Sequence, residues 1–348
     1  MNLLQSQFMQ LKVLTFCCLL LFVTPGFAQT VPPAPASGNP AVEECLNTPG
    51  CVECVPEINY WVVSSRSCPQ KSNCCCPCCE FDVYHACSEG RVTEQSMESL
   101  IQSIDPKAPI CIMVHGSFVG WDSVLTDSYN TYLWLRNAAP QMPLNVIFFT
   151  WPSDDTPTKI LPVDVNILGK RAEYNGHYLT RLIAKLPEHH QISMLGHSHG
   201  ARTVSSAMHL IGGGSVQGVS LQDCGIHICC RCRHFRIVFA AAAINHNWLN
   251  PGERYGCGLN CTDCLVNLRN RKDRILLFYP VLAPVSRRAL ARTGFTYLDR
   301  RALGNDVNRV HDIDVSECVG AAHMFPNYYS HPQIAETIVP AIYFQNAP

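Results

Sequence analysis

The chain has 348 residues, and its 26 Lys and Arg against 27 Asp and Glu give a formal net charge of −1, with 14 His as the adjustable remainder. A general nucleic-acid binder needs an excess of cations to displace counterions from phosphates, so nucleic acid is set aside as a partner. A hydrophobic fraction of 47% with 15% charged residues belongs to a folded chain with a sizeable core, and the length admits one or two domains.

A lone Lys12 precedes an apolar run at 13–23, and Gly26 and Ala28 put small residues at the −3 and −1 positions of a cleavage site. Residues 1–28 therefore read as a secretory signal peptide, because the run is about half the ~20 residues of a membrane-spanning helix. The expected location is secreted, periplasmic or cell-surface, with no transmembrane segment after signal removal. Residues 29–44 form a Pro-rich linker without a periodic apolar face.

Residues 45–90 form a Cys-rich extension, carrying Cys45, Cys51, Cys54, Cys68, Cys74, Cys75, Cys76, Cys78, Cys79 and Cys87. In an oxidising compartment such density reads first as disulfides, which close the loops of a segment with few core residues. Thiolate zinc is the competing reading, on the short spacers of Cys51 and Cys54 and of Cys257, Cys261 and Cys264. No metal and no cofactor are assigned. Signal removal takes Cys17 and Cys18 from the 21 Cys and leaves an odd number, so at least one thiol is unpaired within the chain. Cys111, inside an apolar strand, is the candidate.

Two β-branched and aromatic runs, at 57–66 and 80–86, read as a hairpin or edge pair. From there strands alternate with helices. Strands are expected at 110–114, 144–150, 192–195, 235–242, 265–268 and 307–315, and helices at 123–139, 166–186, 201–211, 273–281 and 334–343. Strands apolar on both faces and joined by helices form a mostly parallel sheet covered on both sides, with ligand sites at the strands' carboxyl ends. This makes residues 91–348 an α/β domain. Gly212-Gly213-Gly214 follows a helix and reads as a flexible loop.

The strand at 192–195 runs into Gly196-His197-Ser198-His199-Gly200 and then a helix. In that context G-x-S-x-G is a nucleophile elbow, with Ser198 on a strained turn and glycines where side chains would collide with the neighbouring strand and helix. The strand at 110–114 ends in His115-Gly116-Ser117-Phe118, where the N–H of Ser117 or Phe118, with that of His199, would form an oxyanion hole. Asp273 follows the strand at 265–268, and His323 follows the last strand. The chain order Ser198, Asp273, His323 is the one expected of α/β-hydrolases.

From about residue 110 to the C-terminus the chain resembles the α/β-hydrolase superfamily of the esterase or lipase type, and more narrowly a bacterial group of hydrolases of unknown function. The resemblance rests on the His115-Gly116 loop, Trp151-Pro152-Ser153, Tyr174, the elbow with Gly200 and Arg202, and the late Asp and His. It is specific at the elbow and Trp-Pro-Ser, and the Cys clusters are not part of it. It implies the fold and serine-dependent hydrolysis but no particular substrate; the reading adopted is a secreted serine hydrolase acting on a small-molecule or lipid ester. The alternatives are an acyltransferase or peptidase with the same triad, or a non-catalytic surface-binding protein on a hydrolase scaffold.

His323 is preferred over His331, which sits directly before Pro332 at a helix start, and Asp273 over Asp299 and Asp306, which lie in an Arg-rich stretch read as solvated surface. His197 and His199 read as packing and hydrogen-bonding residues beside the elbow. Asp154 and Asp155 read as a loop cap, and Arg202 as a structural ion-pair partner.

Overall fold

The computed structural model describes residues 58–70, 79–88, 91–230, 232–282 and 286–345. The expected leader and linker, Cys45, Cys51, Cys54 and Cys74 to Cys78 lie outside the described residues. Chain order is β1 (Tyr60–Ser64), β2 (Asp82–Ser88), β3 (Arg91–Gln95), α1 (Met97–Ser103), β4 (Ile110–Val114), α2 (Trp121–Ala138), β5 (Asn145–Thr150) and α3 (Leu161–Lys185). It continues with β6 (Ile192–His197), α4 (His199–Ile211), the short hairpin β7 (Ser215–Val216) and β8 (Val219–Ser220), β9 (Phe235–Ala240) and β10 (Cys264–Arg269). Short helices, of which Tyr297–Leu303 has seven residues, then lead to β11 (Val310–Asp314) and the C-terminal helix α5 (Pro332–Ile342).

The main sheet has nine strands in the order β11-β10-β9-β6-β4-β5-β1-β2-β3. Every neighbouring pair from β11 to β1 is parallel, and β1–β2 and β2–β3 are antiparallel. This is a mixed α/β fold with a large, mostly parallel sheet. The strands of the Cys-rich stretch thus extend the main sheet, with β1 paired to β5 and β3 at the edge.

Period-two alternation gives each face of the sheet its own layer. Ile110, Ile112 and Val114 of β4, with Ile192 and Met194 of β6, pack on one face against Leu168, Ala172 and Leu179 of α3 and Val204 and Met208 of α4. Cys111 and Met113 of β4 and Leu195 of β6 face the opposite layer, built from Val124 and Leu135 of α2 and Ile334 and Ile338 of α5. Cys111 is a buried free thiol, and burial raises its pKa to about 12. No described helix is long and apolar enough to cross a membrane.

Disulfides join Cys68 to Cys79, Cys229 to Cys232 and Cys230 to Cys261. The bond of Cys261 removes it from any thiolate metal set with Cys257 and Cys264, and no metal-holding cluster occurs among the described residues. Closing the Cys68–Cys79 loop, with its separation of 11 residues, restricts the unfolded chain by about 3 kcal/mol in the chain-entropy picture.

Three local expectations are corrected. The helix expected at 273–281 is two one-turn helices, Arg274–Leu277 and Tyr279–Leu282, because Pro280 cannot donate to the preceding turn of a continuous helix. The strand expected from residue 307 starts at Val310, after a 3₁₀ turn over Gly304–Arg309. The Gly212–Gly214 run is packed rather than loose: a Cβ on Gly212 would strike the Cys257 carbonyl, and one on Gly214 the His209 ring. Gly213 supplies the positive φ of +95° that turns the chain.

Candidate active site

Beyond β4 and β6, adjacent strands whose connections leave in opposite directions, the loops part at a topological switch point. Ser198 sits there, between the last residue of β6 and the first of α4, with φ 52° and ψ −119°. A non-glycine residue in this region costs of order 1–3 kcal/mol unless its surroundings hold it. Here the Ser198 N–H donates to Ala240 O at 3.0 Å, and its carbonyl accepts from Ala201 N at 3.1 Å and Ala243 N at 3.2 Å. The elbow glycines permit the close approach. A Cβ on Gly196 would lie 2.8 Å from Ala201 Cα, and one on Gly200 would run into the Val114 carbonyl.

Asp273 and His323 meet Ser198 from distant parts of the chain. His323 Nε2 is 3.0 Å from Ser198 Oγ, and its Nδ1 is 2.8 Å from Asp273 Oδ2. Asp273 is fully buried, and its other oxygen accepts from the Leu276 N–H at 2.9 Å, so the carboxylate also caps the helical turn that follows it. Ser198 retains 9% exposure and the His323 side chain 10%, which leaves the pair at the rim rather than in the core.

The turn that carries His323 is held by its carbonyls. Asn270 Nδ2 donates to Gly320 O at 2.9 Å and Ala322 O at 3.2 Å, Arg274 N donates to Ala321 O at 3.2 Å, and His197 Nε2 to His323 O at 2.9 Å. Burial and the neighbouring His323 lower the His197 pKa to about 3, so this imidazole is neutral at ordinary pH.

Of the three residues expected to supply oxyanion donors, one has its N–H already engaged. Phe118, at φ 62°, donates its N–H to Ser153 O at 2.7 Å, which removes it from the set. Ser117 remains, and its hydroxyl is 2.6 Å from His199 Nδ1. The His199 N–H opens α4, where the intrahelical ladder has not begun. His115 lies beneath this loop, bonded to Gly116 O and Thr150 Oγ1 at 2.8 Å each and stacked on Trp151, and burial lowers its pKa to about 3.

His331 is away from the site, capping α5 with its carbonyl on Trp134 Nε1 at 3.0 Å. Asp299 is not solvated surface. It is 2% exposed and accepts from Thr296 and Asn250 while lying 2.7 Å from His246 Nδ1, so its charge is absorbed by a capping network. Asp306 pairs with Arg309. Asp154 and Asp155 pair with Arg66 and Arg171. Among the described residues Arg202 makes no ion pair. Its guanidinium donates to Ala243 O and Tyr279 OH at 3.3 Å each and lies 4.9 Å over the Trp248 ring.

Arg66 is the residue that sequence reasoning missed. It reaches from the loop after β1 to Thr150 Oγ1 at 2.9 Å, Asp154 Oδ1 at 2.8 Å and Val119 O at 2.6 Å, and so braces the loop that follows β4. No motif marks it. No protein-family model, no curated protein and no solved structure matches the chain.

Proposed function

We propose that the protein is an exported serine hydrolase of α/β-hydrolase type that cleaves carboxylic esters or related acyl substrates through an acyl-enzyme. The observation that carries this reading is the continuous path from Ser198 Oγ to His323 Nε2 at 3.0 Å and from His323 Nδ1 to buried Asp273 at 2.8 Å. The strained elbow and the position at the switch point support it.

A serine hydroxyl is a weak nucleophile at neutral pH and needs a base in contact. As the Ser198 oxygen bonds to the substrate carbonyl carbon, its proton passes to His323 Nε2 and the carbonyl electron pair moves onto oxygen. The N–H groups of Ser117 and His199 receive that oxyanion, and losing one such donor costs about 3 kcal/mol of transition-state stabilisation. Asp273 holds the ring's tautomer and stabilises the imidazolium without taking the proton. The tetrahedral adduct collapses, the bond to the alkoxide breaks, and the alkoxide leaves with the His323 proton. Water then gives a proton to His323 and attacks the acyl carbon, and collapse returns the proton to Ser198 Oγ as the acid departs.

A panel of p-nitrophenyl esters of increasing acyl length, run on the purified protein and on Ser198→Ala, tests the reading. The wild type is expected to hydrolyse at least one ester, with the variant reduced by ~10⁴-fold or more. Equal rates for the two proteins, or no turnover of any ester by folded wild type, contradict it.

A further inference from the structure

We propose that the two histidines flanking Ser198 are positioning residues, each tying to the elbow one of the two distant loops that the reaction needs. The inference rests on the hydrolase reading above and adds residues to it: His197 sets the place of His323, and His199 sets that of the Ser117 loop.

Four consecutive carbonyls, from Gly320 to His323, each accept a hydrogen bond. The donors to the first three, Asn270 and Arg274, stand on the segment that carries Asp273, so they register the base against its carboxylate. The fourth donor, His197, is the residue before the nucleophile. A carbonyl only accepts, so His197 Nε2 must carry the proton, and the low pKa keeps the ring from competing for the proton that Ser198 releases. The Ser198–His323 separation is thus fixed by one hydrogen bond between residues 197 and 323, independent of the Asp273 side. The ring also packs against Phe325 and Tyr328, with centroids at 5.1 and 6.1 Å, so a phenyl group fills the same space without the donor.

On the other side of the elbow, the Ser117 hydroxyl and His199 Nδ1 meet at 2.6 Å. The N–H groups of these two residues are the proposed oxyanion donors, so the side-chain bond fixes their relative position. His199 is buried, and that burial, with Arg202 and His323 beside it, lowers its pKa well below the ordinary imidazole value. Tethering donors to a rigid helix start is what preorganisation requires, since a displacement of about 1 Å costs on the order of 10²-fold in rate.

The test measures kcat and KM for a p-nitrophenyl ester, and the rate of phosphonylation by a fluorophosphonate, on wild type, His197→Phe, His197→Gln and Ser117→Ala, with circular dichroism confirming the fold. For His197→Phe the expected result is a fall of ~10²-fold in kcat and in phosphonylation with KM unchanged, and recovery of most of it in His197→Gln, whose amide can donate to the same carbonyl. Ser117→Ala keeps its backbone N–H and trims a small, half-buried side chain. It is expected to lose kcat by ~10-fold at constant KM, which keeps the proposal open to refutation if His197→Phe does not fold. Folded His197→Phe and Ser117→Ala reacting at the wild-type rate would overturn the inference while leaving the hydrolase reading intact. A wild type that neither turns over ester nor takes the label would instead remove the reading on which it rests.

Discussion

Ser198 stands in a backbone conformation that its hydrogen bonds to Ala240, Ala201 and Ala243 and close packing hold in place, and Gly116 shows how close that packing is. A Cβ on Gly116 would lie 2.8 Å from Ser198 Cβ and 3.1 Å from His197 Nδ1. Gly116→Ala must therefore push the nucleophile or its neighbour aside. Because the reacting oxygen tolerates only small displacement, kcat for ester hydrolysis is expected to fall by about 10²-fold while the far-ultraviolet spectrum stays native. An unchanged kcat would show that the loop yields without moving Ser198. At this scale the residues Ser198, Asp273 and His323 were legible because each follows a strand, in a chain order that the fold restricts. The ties that hold them were not. His197 and His323 are separated by 126 positions, and Phe118 loses its N–H to a carbonyl on a different loop. Neither partner is marked by local spacing.

Helix α2 and the turn behind His323 are joined by a titratable contact. The Tyr329 hydroxyl donates to Asp127 Oδ1 at 3.0 Å, and burial raises the Asp127 pKa from 3.8 to about 6. The folded state then holds the proton more tightly than the unfolded chain. The resulting stabilisation is complete below the ordinary carboxylate value and is lost as pH rises through about 6, a change of at most about 3 kcal/mol. Asp127→Asn keeps an oxygen for Tyr329 and removes the ionisation. Urea unfolding at about pH 4 and about pH 8 should show the wild type losing stability relative to the variant as pH rises, and a constant difference would contradict the assignment. Elements themselves were largely legible, since strands such as Ile110–Val114 are apolar on both faces and the helices between them show a single apolar stripe. What escaped was short. Helix α1 and the one-turn helices after β10 are too brief for periodicity to register, and the Pro280 break divides what reads as one amphipathic run.

At the scale of the whole molecule, sequence order and sheet order diverge, and that divergence makes the site. Alternation of strands and helices implies a parallel sheet, but it does not reveal that β4 and β6 become neighbours or that β1 pairs with β5. The first places the Ser117 loop beside the elbow. The second makes the strands of the Cys-rich stretch part of the main sheet and brings Arg66 against the loop that follows β4. Those pairings join residues far apart in sequence, and no property of either segment alone encodes them.

The central claim is that Ser198 is an activated nucleophile in an assembled site. Exposure of the folded protein to a fluorophosphonate, followed by peptide mass spectrometry, tests it most directly. A single phosphonyl adduct on Ser198, formed in the wild type and lost in His323→Ala, is the predicted result. A folded wild type that stays unmodified, or carries its adduct on another residue, would contradict the account.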